Sequence, residues 1–119
     1  MRFAKIQATG NDFILIEAEE EHDWSSLAET MCHRHLGVGA DGLIVIIPSK
    51  VADLRMRLFN PDGSEAEACG NGLRCLARYA IDRGLVSASE LTVETLGGMR
   101  KLSPHKDIIQ VDMGKPEFR

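Results

Sequence analysis

The chain has 119 residues, 44% of them hydrophobic and 27% charged, the composition of one ordinary globular domain and not of a disordered segment. Its 14 basic and 18 acidic side chains leave a net charge of −4 with no long same-sign block, which favours neither nucleic acid nor an anionic membrane as partner. The opening MRFAKIQATGNDF lacks the apolar stretch of a secretory signal, and the longest apolar run, Leu43 to Ile47, is far short of the roughly 20 residues of a membrane span, so a cytoplasmic protein is expected.

In chain order, the first strand signal is Phe13 to Glu17. A helix is expected from about Ser26 to His35, with SLAE as a capping box, Leu27, Ala28 and Met31 on one stripe, and Gly37 as its stop. It reads as a surface helix. Leu43 to Ile47 forms a second strand, and Asp53 to Phe59 a third, in which Leu54, Met56 and Leu58 alternate with Arg55 and Arg57, so that one face is buried. Asn60-Pro61-Asp62-Gly63 is a turn, with proline setting φ and glycine free to take a positive one.

The segment NGLRCLARYAIDRG is a second helix of a different kind. Leu73, Leu76, Ala77, Ala80 and Ile81 form its apolar row, Cys75 and Tyr79 widen it, and only Arg74, Arg78 and Asp82 make a polar edge. A helix apolar over so much of its circumference needs enclosure. The fold class expected is α+β: a mixed, largely antiparallel sheet rolled around a central helix. Further strands are expected at Leu91 to Leu96, Met99 to Leu102 and Ile108 to Met113, with Gly97-Gly98 as a hairpin turn between the first two. With no repeat, low-complexity tract or linker, residues 1–119 read as one domain.

Two motifs are set aside on physical grounds. GVGADG, Gly37 to Gly42, has dinucleotide-site spacing, but it follows a helix and opens a strand, the reverse of the order in which a helix start faces a pyrophosphate. CHRH, Cys32 to His35, holds metal-ligand residue types, but His33 and His35 would project in nearly opposite directions on a helix, and no second ligand pair accompanies them. No metal and no cofactor is expected.

Cys69 is the candidate for chemistry. The chain has 3 cysteines, an odd number without a disulfide framework. On a helix Cys75 would lie about 9 Å further along the axis than Cys69, too far for a bridge. Cys75 and Cys32 read as packing residues. Cys69 instead precedes Gly-Asn-Gly at the start of the enclosed helix, where unpaired amides and the positive end of the dipole lower a thiol's pKa and can hold a carboxylate beside it. Arg74 adds positive charge one turn on. A cysteine so placed is a candidate nucleophile or base. No catalytic His or Asp motif accompanies it, which argues against a Cys-His hydrolase.

TGNDFILIE, RHLGVGADGLIVI, RLFNPDGSEAEACGNGLRCLARY, LTVETLGG and VDMGKPEF together resemble, in order and spacing, the N-terminal half of the diaminopimelate epimerase family. The resemblance implies a cofactor-independent isomerase that interconverts the LL and meso forms of 2,6-diaminopimelate in lysine and peptidoglycan precursor synthesis. It implies two similar α+β domains with the substrate between them, each supplying one cysteine. One cysteine removes the α-proton as thiolate while the other, as thiol, protonates the opposite face. On this chain Cys69 would be the first of the pair, Asn11 and Asn60 would contact the substrate, and Gly70 with Asn71 would offer amides to its α-carboxylate.

The chain departs from the family pattern at Gln7-Ala8-Thr9 and at Gly42, where some members carry a substrate-touching glutamine. The second Cys-Gly motif is also missing, so the expectation is a first domain that lacks its C-terminal partner, folds alone and does not catalyse alone. An uncovered inter-domain face would favour association, a homodimer included. Rival readings are a proline racemase or hydroxyproline epimerase, which keeps a catalytic cysteine, and a non-catalytic ligand-binding or thiol redox module. Phenazine-biosynthesis isomerases of similar fold lack the cysteine pair, so Cys69 argues against them.

Overall fold

A computed structural model describes residues 2–8, 10–19, 22–33, 39–67, 70–85, 90–105 and 108–112. In chain order the elements are β1 (Arg2–Ala8), β2 (Asn11–Glu17), α1 (Trp24–Cys32), β3 (Gly42–Ile47), β4 (Leu54–Phe59), β5 (Glu65–Ala66), α2 (Gly70–Asp82), β6 (Leu91–Thr95), β7 (Gly98–His105) and β8 (Ile108–Asp112). The strands form one mixed sheet in the order β1-β2-β3-β4-β6-β7-β8, with β5 paired on β4. Among the described residues β2–β3 and β4–β6 pair in parallel and the other pairings are antiparallel.

The sheet is rolled, because α2 contacts β1, β2 and β3 and also β7 and β8, the far end of the same sheet. Leu73, Cys75, Leu76, Ala77, Tyr79 and Ala80 of α2 are buried against Phe13, Leu15, Ile44, Met56, Leu58 and Val93. Arg74, Arg78 and Asp82 stay exposed along the polar edge, so the expected fold class and central helix both hold.

A second core lies on the outer face. There Trp24, Ala28 and Cys32 of α1, one stripe at i, i+4, i+8, cover Ile14, Ile16, Leu43, Val45 and Phe59. Residues of β2 and β3 therefore alternate between two buried faces, which is why FILI and LIVI are continuously apolar while β4, with exposed Arg55, alternates.

Several boundaries differ from the sequence expectations. Helix α1 begins at Trp24 and its cap is Asp23, whose Oδ1 accepts from Ser26 N at 3.1 Å and whose Oδ2 accepts from Ser26 Oγ at 2.8 Å. An aspartate three residues earlier caps the amide of Ser26 itself, and burial of Trp24 rewards the extra turn. The helix ends at Cys32 with His33 as C-cap; the expected stop Gly37 and His35 lie outside the described residues. The β6–β7 turn falls one residue early. Thr95 pairs with Gly98, so Leu96 and Gly97 form the turn and Gly98 takes the positive φ of +113°. Strands β1 and β5 add to the expected set.

Candidate active site

The strand register brings Asn11 and Asn60, two of the predicted site residues, to one end of the sheet. Phe13 pairs with Gly42 and Leu43 with Phe59, so the start of β2, the start of β3 and the end of β4 lie side by side. These ends carry Asn11, Gly42 and Asn60. Helix α2 starts at Gly70, and its first turn meets the same end through Asn71, whose Nδ2 donates to Asn11 Oδ1 at 2.7 Å. Arg74 Nη1 in turn donates to Asn71 Oδ1 at 2.9 Å. The guanidinium lies back over Gly70, 3.7 Å from where a Cβ would stand.

Asn60 shapes its own turn. Its N–H donates to the Ser64 carbonyl at 2.8 Å, its carbonyl accepts from Gly63 N at 2.9 Å, and its Nδ2 donates to Ser64 Oγ at 3.0 Å. Gly63 has φ +89°, as the turn requires. The turn is docked onto α1, where Ser25 Oγ donates to the Gly63 carbonyl at 2.6 Å. Asp62 Oδ1 accepts from both N and Oγ of Ser64, which holds its carboxyl below the usual carboxylate range. Asn60 is thus presented at the sheet end on a braced loop, with these hydrogen bonds made within its own turn.

Two features were not read from the sequence. Asp12 N donates to Asp41 Oδ2 at 2.7 Å and Asp41 N donates to the Asp12 carbonyl at 2.8 Å. This reciprocal clip ties the residue after Asn11 to the residue before Gly42; the sequence signal was the Asp-Gly of GVGADG. At Gly42 a Cβ would stand 3.2 Å from the Phe59 carbonyl and 3.3 Å from the Phe13 ring, so the glycine serves close packing of three strands.

At the far end of α2, Tyr79 OH donates to Glu17 Oε2, which also accepts from Arg83 Nε at 3.2 Å. Burial, then the hydrogen bond to Glu17, pushes the Tyr79 hydroxyl's pKa up. Helix α2 and strand β2 are therefore joined at both ends. A cleft of about 860 Å³, lined by Glu17, His22, Ser49, Asp53 and Leu85 among others, opens beside this second junction. It includes none of Asn11, Asn60, Gly70 or Asn71.

Cys69, the predicted base, lies outside the described residues. Its sequence neighbour Gly70 is the first residue of α2. The other cysteines, Cys32 and Cys75, are reduced and buried, as packing residues should be. Among the described residues no helix is long and apolar enough to cross a membrane.

A mixed sheet rolled around one apolar helix is a fold this chain shares with solved structures of amino-acid racemases and epimerases. A hydroxyproline epimerase from Agrobacterium vitis superposes with a TM-score of 0.69 at 14% identity, over 88% of this chain and 37% of that one. A phenazine biosynthesis protein of the PhzF family from Bacillus anthracis gives 0.66 at 28% identity, over 85% of this chain and 33% of that one. The family model for diaminopimelate epimerase matches residues 3–119. Diaminopimelate epimerase of Caldanaerobacter subterraneus is 51% identical over 125 aligned positions, 99% of this chain and 45% of the relative. The chain belongs to the diaminopimelate epimerase family, and it spans about 45% of the length of the curated relatives it matches.

Proposed function

We propose that this chain is the N-terminal domain of a diaminopimelate epimerase and carries one half of its active site, with Cys69 as one of two proton-transfer groups. The observation that carries this reading is the meeting of Asn11 with Asn71 at the start of α2, beside Cys69 in sequence, in a chain of this family.

The chemistry fits such a helix start. An amino acid's α-hydrogen is a very weak acid, and without a cofactor to spread the charge, the developing carbanion needs positive electrostatic potential placed in advance. The amides of a first helical turn point outward along the axis and carry the positive end of the dipole. Held there by Gly70 and Asn71, the substrate's α-carboxylate would bring the α-carbon next to Cys69. The same potential favours the thiolate over the thiol. As thiolate, Cys69 takes the α-proton, while a thiol on the opposite face gives one to the same carbon and inverts it.

A single base can return a proton only to the face it left. The second group would come from the C-terminal half that completes the length of the relatives, so the chain alone should bind weakly and not epimerise. Asn11 and Asn60 would contact the substrate from the sheet end. The setting would be cytoplasmic, and an inter-domain face left uncovered in residues 1–119 alone would favour a homodimer.

The test supplies LL-diaminopimelate in heavy water. The chain alone should give no meso product, and adding the C-terminal domain as a separate polypeptide should give meso product with deuterium at the α-carbon. Retention of that activity in Cys69→Ala would refute the assignment of the base.

A further inference from the structure

We propose that Arg74 is a positioning residue that sets the direction of the Arg74–Asn71–Asn11 relay, presenting the Asn11 side-chain nitrogen, a hydrogen-bond donor, to a carboxylate of the substrate. The proposal deepens the reading above and rests on it for the identity of the substrate.

A carboxamide has one end that accepts and one that donates, and the two are interchangeable in shape. What sets the orientation of a pair of asparagines is a third group without that ambiguity. Arginine is such a group, since its guanidinium only donates. Arg74 Nη1 lies 2.9 Å from the Asn71 side-chain oxygen, so that end must be the oxygen. The nitrogen of Asn71 is then the end facing Asn11 at 2.7 Å, and Asn11 must answer with its oxygen. Among the described residues no partner takes the Asn11 nitrogen. Its two hydrogens are left for a ligand at the sheet end, and a ligand atom that meets them has to accept.

A carboxylate oxygen meets that requirement and an ammonium does not. A substrate bearing both groups would be oriented by this asymmetry, because the reversed pose sets donor against donor. The local sequence provides the geometry: Asn71 and Arg74 are i and i+3 on α2, neighbours on its surface. The guanidinium lies beside Gly70, its nearest atom 3.7 Å from a built Cβ. Arg74 is itself exposed, so its replacement leaves the core untouched.

The direction of a hydrogen bond can be read by NMR through the scalar coupling between the donor nitrogen and the acceptor's carbonyl carbon. In the 119-residue chain that coupling should run from the Asn71 side-chain nitrogen to the Asn11 side-chain carbon. It should keep that direction in Arg74→Lys, where the donor is retained. In Arg74→Glu an acceptor stands in its place, and the coupling should vanish or reverse. The opposite direction in the unsubstituted chain, or an unchanged direction in Arg74→Glu, overturns the proposal.

In the enzyme completed with its C-terminal half, Arg74→Glu should raise the KM for LL-diaminopimelate roughly tenfold or more, a lost bond to a charged acceptor, with a smaller change in kcat. Arg74→Lys should recover most of that loss. Equal KM values in the Lys and Glu variants would also overturn the proposal. A completed enzyme that fails to turn over diaminopimelate would refute the epimerase reading instead, and the coupling direction would still decide the relay.

Discussion

The side-chain nitrogen of Asn71 donates to the side-chain oxygen of Asn11 at 2.7 Å, joining residues 60 positions apart. Asn11 opens strand β2 and Asn71 is the second residue of helix α2, so the bond ties the wrapped sheet to its central helix where the chemistry is expected. Replacing Asn71 by aspartate leaves only acceptors facing Asn11, so the Asn11 carboxamide turns its nitrogen inward to donate and offers the substrate its oxygen instead, while the added negative charge is one a helix start favours. Asn71→Asp should therefore keep thermal stability and lower kcat/KM of the completed enzyme roughly tenfold or more, given about 1 kcal/mol for the donor lost to the substrate plus repulsion of its carboxylate. Parallel melting curves and kinetics would check this separation of stability from activity.

The core around α2 should respond in the opposite way. Leu76 is fully buried, among Phe13, Leu15, Met56 and Val93 in the same cluster. Leu76→Ala should cost about 2–5 kcal/mol, read as a lower midpoint in urea unfolding.

Gly63 is held at φ +89°, and a Cβ there would meet Glu29 Oε1 at 2.7 Å and Ser25 Oγ at 2.8 Å. Gly63→Ala should lose about 1–2 kcal/mol from backbone conformation and loosen the turn that presents Asn60. Denaturant unfolding measures the first effect, and hydrogen exchange at Ser64 N, which bonds Asp62 within this turn, measures the second.

Tyr79 is the chain's only tyrosine, so tyrosinate absorbance reports it alone. Burial and the bond to Glu17 raise its pKa above the ordinary value of 10.0. The sign follows from linkage: a group whose folded pKa is raised contributes stability that is intact below its unfolded value and lost as pH rises through the folded one. The midpoint should lie above 10.0 in the folded chain and move down in Glu17→Gln, and stability should fall on the alkaline side of that value. A midpoint at the free-tyrosine value would contradict the junction.

Much of the fold was legible because burial writes itself into periodicity. Helix α2, apolar over most of its circumference, implied enclosure, and the enclosing sheet is there. The outer core was legible only in part. FILI and LIVI are apolar on both faces, yet Trp24, which seats α1 on one of them, looked like part of a loop because Ser26 and Glu29 supply a plausible later cap.

Strand β1 was missed for a physical reason as well. Phe3, Lys5 and Gln7 are exposed while Ala4 and Ile6 are half-buried, an edge strand with little apolar contrast. At the site, residue types were readable and pairings were not. Nothing local to Asn11 names Asn71 as its partner, whereas the i, i+3 spacing of Asn71 and Arg74 was visible and only its consequence was overlooked. Cys69 stands on its motif and family, since it falls outside the described residues.

Deuterium incorporation during epimerisation of LL-diaminopimelate in heavy water tests the central claim most directly. Half an active site predicts no meso product from this chain alone, deuterated meso product once the C-terminal domain is supplied, and none from Cys69→Ala under the same conditions. Epimerisation by the isolated chain, or undiminished turnover by the Cys69→Ala complex, would contradict it.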